Sequence, residues 1–171
     1  MKKNLKYIFL LILVVGISTM VFQILGQLEE KKLKKANRQT LPNFEFVDLN
    51  NERFTNAQLI PDKNVLIIYF NPQCDECQCE ASEIRENIQQ FESTHILMVS
   101  NSPQEDVKSF AIEYKIDNLK EISILLGTRE IYYEIFDAST VPNLFIYNKE
   151  HLLVKQYEGQ TKIEAILKYL D

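Results

Sequence analysis

The stretch VLIIYFNPQCDEC (65–77) decides the fold. Val65 to Phe70 is a continuous apolar run rich in β-branched and aromatic residues, which suits a strand buried on both faces. Apolar residues then recur at Cys77, Ala81, Ile84, Ile88 and Phe91, a period that predicts a helix over 77–91. A C-x-x-C pair therefore sits between a buried strand and a helix. Two intervening residues allow one turn to bring both sulfurs to bonding distance. At a helix N-terminus the dipole and the free amides favour the thiolate of the first Cys. Cys74 is thus the expected exposed attacker, and Cys77, one turn in, the resolving thiol.

Two other readings of the pair carry less. A structural zinc site needs four ligands, and only His95 and His151 remain, far from the motif and from each other in sequence. A structural disulfide would close a very short loop and stabilise little. Position and spacing together point to reversible dithiol–disulfide exchange.

Outward from the motif, strands and helices alternate. Phe44, Phe46 and Val47, then Arg53 to Thr55, read as a hairpin around Asp48-Leu49-Asn50-Asn51. Ile96 to Val99 reads as a second buried strand. Ser102-Pro103-Gln104-Glu105 reads as a helix start with Ser102 as cap and Pro103 at the first position. Ile122 to Leu126 is a third strand and Arg129 to Phe136 a short helix. Two strands, 144–147 and 152–157, and a helix over 162–170 close the chain. The order implies an α/β fold with a mixed central sheet flanked by helices, and an N-terminal β-hairpin extension.

Net charge is −5 over 171 residues, but it is unevenly spread. Residues 1–39 carry eight Lys/Arg against Glu29 and Glu30, while 40–171 carry eleven against twenty-two acids. An acidic domain lacks the clustered cations that nucleic acid requires. Lys2, Lys3 and Lys6 precede an apolar run from Tyr7 to Leu28, close to the roughly 20 residues that span a bilayer. No A-x-A-like cleavage site or lipobox cysteine comes after it. Residues 1–28 are therefore expected to be an uncleaved membrane anchor, with a cleaved signal peptide as the alternative, 29–40 a charged linker, and 41–171 the folded domain.

Residues 41–171 resemble the membrane-anchored TlpA/ResA-like branch of the thioredoxin superfamily. The landmarks are LPNFEFVDLN, VLIIYFNPQCDEC, Glu80 three residues past Cys77, Thr140-Val141-Pro142 before a strand, and Gly159 before the last helix. The resemblance implies a cis Pro142 beside the disulfide and a Val141 backbone that, with Thr140, pairs with a substrate segment. It implies that Glu80 lies under the motif and tunes the thiols or relays a proton. It implies catalysis by Cys74, Cys77, Glu80 and Pro142 with no cofactor beyond the Cys74–Cys77 disulfide. The expected partners are a protein disulfide substrate and an electron-donor dithiol protein, met outside the cytoplasmic membrane. Positive charge beyond the apolar run (Lys31, Lys32, Lys34, Lys35, Arg38), read literally, places the domain in the cytoplasm instead.

The chain departs from the family pattern at three places. Gln73 stands where a Trp is usual, Ile68 where thioredoxins bury an acid, and Asp75-Glu76 where a proline is common. Two carboxylates beside a sulfur disfavour its thiolate, so a reducing couple is expected. LPNFEFVDLN also resembles the start of peroxiredoxins, but Cys74 stands where those carry Thr ahead of the peroxidatic Cys. A Cu(I) chaperone is the other alternative; related folds use a wider cysteine spacing and a distal His. Cys79 lies about 200° around the helix from Cys77 and is expected to be a small buried hydrophobe. His95 and His151 are expected at the surface or as caps, and Tyr132, Tyr133, Phe136 and Tyr147 in the core and its rim.

Overall fold

The computed structural model describes the backbone of residues 2–138 and 140–170, and the side chains of 15–29, 32–128, 132–138 and 140–170. The chain divides into two compact units, Met1–Asn37 and Arg38–Asp171. The first is one helix, α1 (Lys2–Asn37). Its large apolar side chains from Val15 to Leu28 are all exposed, Phe22 at 80%. Among the described residues no helix is long and apolar enough to cross a membrane. The transmembrane helix expected over 7–28 is thus not found there, and the side chains of 7–14 lie outside the described residues.

In the second unit a hairpin, β1 (Glu45–Asp48) and β2 (Arg53–Thr55), leads into β3 (Asn64–Tyr69). Next come α2 (Asp75–Glu86), β4 (Thr94–Ser100), α3 (Gln104–Glu113), β5 (Ile122–Leu126), α4 (Arg129–Phe136), β6 (Asn143–Tyr147), β7 (Leu153–Glu158) and α5 (Ile163–Leu167). The strands form one mixed sheet in the order β2-β1-β5-β4-β3-β6-β7. β3, β4 and β5 run parallel, while β6 lies antiparallel to β3. This is the α/β, thioredoxin-like architecture expected.

The apolar run of β3 is buried along its whole length because each face meets a different core. Leu66, Ile68 and Phe70 pack with Ala81 and Ile84 of α2, Phe110 of α3 and Ile166 of α5. Val65, Ile67 and Tyr69 pack with Phe44, Phe46, and Tyr132 and Phe136 of α4. Each such side chain contributes about 1.5–3 kcal/mol by leaving water, so the centre of the sheet is the rigid part of the domain. The hairpin turn is set by Asp48, whose Oδ1 accepts from the N–H of Asn50 and of Glu52, both at 2.8 Å. Asn51 takes the left-handed φ of 63° that Asn tolerates.

Several expectations need correction. The folded unit begins at Arg38 rather than 41: the Gln39 carbonyl accepts from Leu153 N–H at 2.8 Å, and Thr40 bridges to Leu152. Helix α2 starts at Asp75 and stops at Glu86, where Asn87 turns its side-chain amide onto the Glu83 carbonyl at 2.8 Å. Ser102 does not cap α3. Pro103 is the capping residue, its carbonyl accepting from Asp106 and Val107, while Ser102 N–H is held by Ser100 Oγ at 3.2 Å.

His95 is buried, not superficial. Its Nδ1 accepts from Ile60 N–H at 3.2 Å and its Nε2 lies 2.9 Å from Ser123 Oγ. Burial first, and Lys63 second, lower its pKa from 6.5 to about 4. Between those values the unfolded chain binds a proton that the folded chain refuses, so this contribution is lost as pH falls through the window. The loss is about 2 kcal/mol by pH 5. Urea unfolding at pH 7 and pH 5 should therefore show the change in stability on acidification to be about 2 kcal/mol more favourable in His95→Gln than in the unsubstituted protein.

Candidate active site

Antiparallel pairing of Tyr69 with Asn143 sets the loop after β3 beside the loop before β6. That register is why Cys74 and Val141, 67 residues apart, meet: Cys74 Sγ lies 3.9 Å from the Val141 carbonyl oxygen. Asn71 shapes the approach, its side-chain oxygen accepting from Gln73 N–H at 2.9 Å and its carbonyl from Cys74 N–H at 3.1 Å. Cys74 is the N-cap of α2 in extended conformation, with no side-chain capping bond. Its carbonyl accepts the first helical bond from Gln78 N–H at 3.0 Å. The sulfur therefore sits at the amide-rich end of the helix, and Asp75 and Glu76 fill the first turn.

Both cysteines are free thiols, but they differ in access. Cys74 is half-buried, whereas Cys77 is 1% exposed on the inner stripe of α2 with Glu80, Ala81 and Ile84. Burial pushes the Cys77 thiol far up; the Asn71 backbone opposes this, and the neighbouring Cys74 and Glu80 add to it. Cys77 is therefore a neutral thiol whose attack on sulfur requires a nearby group to take its proton.

Glu80 shares the inner stripe of α2 with Cys77. It is buried, and desolvation raises its pKa to about 7, opposed by the Thr161 amide and reinforced by Glu83. Thr161 N–H donates to Oε2 at 3.0 Å, while Oε1 is buried without a partner among the described residues. The loop that satisfies Glu80 also holds the other wall of the site. Gly159 N–H donates to the Pro142 carbonyl at 2.8 Å, and Thr161 Oγ donates to the Gly159 carbonyl at 3.1 Å. Gly159 stands at φ +83, where an L side chain would be strained. The Val141–Pro142 peptide is cis. Thr140 is exposed and Val141 half-buried, packed against both cores.

The structure thus brings together Cys74, Cys77, Glu80, Val141 and Pro142, with Thr140 at the rim. Asn71 and Thr161 join them, and neither was signalled by the sequence, since what reaches Cys74 and Glu80 is the Asn71 carbonyl and the Thr161 N–H, backbone groups that name no residue type. Cys79 does not join, and it is not the buried hydrophobe expected. Two residues past Cys77 it faces solvent, in a groove with Asp75, Glu83, Glu86 and Tyr114. Brief maleimide treatment of the reduced protein should label Cys79 and leave Cys77 unmodified, as peptide mass mapping would report. Among the described residues no group of three or more His, Cys, Asp or Glu side chains is placed to hold a metal ion.

The AhpC/TSA family model matches residues 38–156. The chain belongs to the AhpC/TSA family. It is 24% identical over 173 residues to the thiol-disulfide oxidoreductase ResA of Bacillus subtilis, covering 99% of this chain and 94% of that protein. Its fold is similar to that of a secreted Mycobacterium tuberculosis disulfide oxidoreductase homologous to E. coli DsbE, with TM-score 0.63 and 14% identity over 79% of this chain and 96% of that one. StoA from Bacillus subtilis has TM-score 0.60 and 14% identity, covering 78% of this chain and 99% of that one. The resemblance to the TlpA/ResA-like branch of the thioredoxin superfamily therefore holds, and this AhpC/TSA-family chain is an oxidoreductase of the thiol–disulfide type.

Proposed function

We propose that this protein is a membrane-anchored oxidoreductase that reduces protein disulfides with the Cys74/Cys77 dithiol. The observation that carries the reading is an accessible Cys74 at a helix start, set against the Val141 carbonyl, with a wholly buried Cys77 behind it. In this scheme the Cys74 thiolate attacks one sulfur of the substrate disulfide and the other leaves as a thiolate. The Thr140–Val141 backbone aligns the substrate strand during that step. Cys77 then passes its proton to Glu80 and attacks Cys74 Sγ, which releases the second substrate sulfur. Two electrons move to the substrate, and the protein is left with a Cys74–Cys77 disulfide. A donor dithiol returns those electrons, so no cofactor beyond the two sulfurs is needed.

Anchoring by residues 7–28 is supported by the length of the apolar run and by the exposed side chains between Val15 and Leu28. At 100° per residue they cover more than half the helix circumference, a surface that water disfavours. The extracytoplasmic side rests on the TlpA/ResA-like resemblance. Exposed Cys79 can report it: an impermeant maleimide should label the chain in intact cells, and labelling only after lysis would place the domain inside.

The function itself is tested by mixing the pre-reduced full-length chain with insulin. Thiols should appear on insulin as Cys74 and Cys77 close. Rapid consumption of peroxide with insulin left oxidised would instead favour a peroxidase, the activity the N-terminal landmark also suggests.

A further inference from the structure

Arg38 lies where the sequence reads as a charged linker, yet it is 8% exposed. A cation is withdrawn from water only where partners replace its hydration, and each partner here is at one place in the fold. Arg38 Nη1 donates to the carbonyl of Phe136, the last residue of α4. Nη2 lies 3.7 Å from Asp137 Oδ2, and the guanidinium carbon stands 6.0 Å from the centroid of the Phe145 ring. Asp137 leaves the helix at a left-handed φ of 52°, its N–H bound to the Tyr133 carbonyl at 2.8 Å. The guanidinium thus closes the carbonyl end of α4, where the helix dipole favours a cation.

The segment between α4 and β6 carries Val141. One end of that segment is fixed at Pro142, whose carbonyl is held by Gly159 N–H at 2.8 Å. The other end is fixed at Phe136 and Asp137 by Arg38. Between the two lies the carbonyl that meets Cys74 Sγ. We propose that Arg38 is a positioning residue: clamped across the end of α4, it sets where the Thr140–Val141 backbone stands relative to Cys74 and so aligns the incoming disulfide. This rests on the reading that the Thr140–Val141 backbone receives substrate.

The test compares full-length Arg38→Met and Arg38→Lys chains with the unsubstituted protein, all in a Cys79→Ser background. Arg38→Met should raise KM for insulin about tenfold with kcat nearly unchanged, since misplacement of a docking strand weakens alignment rather than chemistry. Alkylation of Cys74 by iodoacetamide should change less than about twofold, because it needs no docked strand. Arg38→Lys, which keeps the cation but loses the fork, should recover part of KM. An unchanged KM, or equal falls in alkylation and insulin reduction, would overturn the proposal by reducing Arg38 to a structural cap. If Arg38→Met does not fold, Asp137→Asn carries the same KM measurement, and no rise there would also overturn it. Should the unsubstituted protein fail to reduce insulin, the proposed function falls instead. The amide resonances of Thr140, Val141 and Gly159 then decide the positioning: displacement in Arg38→Met supports it and coincidence overturns it.

Discussion

Replacing Cys77 with Ser is expected to turn the enzyme into a trap, with substrate held to Cys74 as a stable mixed disulfide. Cys77 is 1% exposed and neutral, so the substrate disulfide meets Cys74 first. Without the buried thiol the first exchange still proceeds, but no internal sulfur releases the product. Cys74→Ser removes the attacking sulfur and should lower turnover by about a thousandfold or more, with no adduct formed. Non-reducing electrophoresis after mixing with insulin would separate the outcomes: a shifted band for Cys77→Ser and none for Cys74→Ser. An adduct in Cys74→Ser that disappears only when Cys79 is also replaced would move the chemistry to the exposed thiol.

The second large effect is expected at Glu80, where stability and activity should move in opposite directions. Its folded pKa is about 7 against an ordinary 4.5, chiefly because of burial. Between those values the folded chain holds a proton that the unfolded chain releases, so stability falls as pH rises through the window. Above pH 7 the ionised carboxylate costs the fold about 3 kcal/mol, less whatever local relaxation recovers. Glu80→Gln keeps an acceptor for Thr161 N–H but carries no charge. It should be about 1–3 kcal/mol more stable than the unsubstituted protein at pH 8, with the difference fading towards pH 4.5. The same change removes the acceptor for the Cys77 proton. Closure of the mixed disulfide should slow by about a hundredfold and lose its rise through pH 7. Equal stability of the two proteins at pH 8 would refute the buried-charge reading, and an unchanged pH profile would remove Glu80 from the proton path.

The two buried titrations also oppose each other. Between about pH 4.5 and 6.5 the unfolded chain gains a proton on His95 while the folded chain holds one on Glu80. Their slopes nearly cancel, so the acid sensitivity caused by His95 becomes visible in Glu80→Gln.

What could be read from the sequence was what repeats locally. The apolar run of β3, the two-residue cysteine spacing and the period of α2 all lie within a few turns of one another. The stripe Cys77, Ala81, Ile84 even held the information that Cys79 faces out, since 200° of rotation carries it off that stripe. Contacts across the sheet could not be read in the same way. Cys74 meets Val141 because of the β3–β6 register, and Thr161 reaches Glu80 from 81 residues away. His95 looked superficial because its partners, Ile60 and Ser123, come from separate segments. Arg38 read as linker for the same reason: α4, which gives it a place, is 98 residues further on at Phe136. The Ser102 cap failed because the helix starts one residue later, with Pro103 at the cap and Gln104 as its first residue.

A redox titration of the full-length chain in defined thiol buffers, read by peptide mass mapping, bears most directly on the account. Cys74 and Cys77 should lose two hydrogens together, reversibly, at a midpoint nearer the reducing end of the superfamily, about −270 mV, than about −120 mV. A pair that no oxidant closes, or that closes only at the oxidising end, would contradict it.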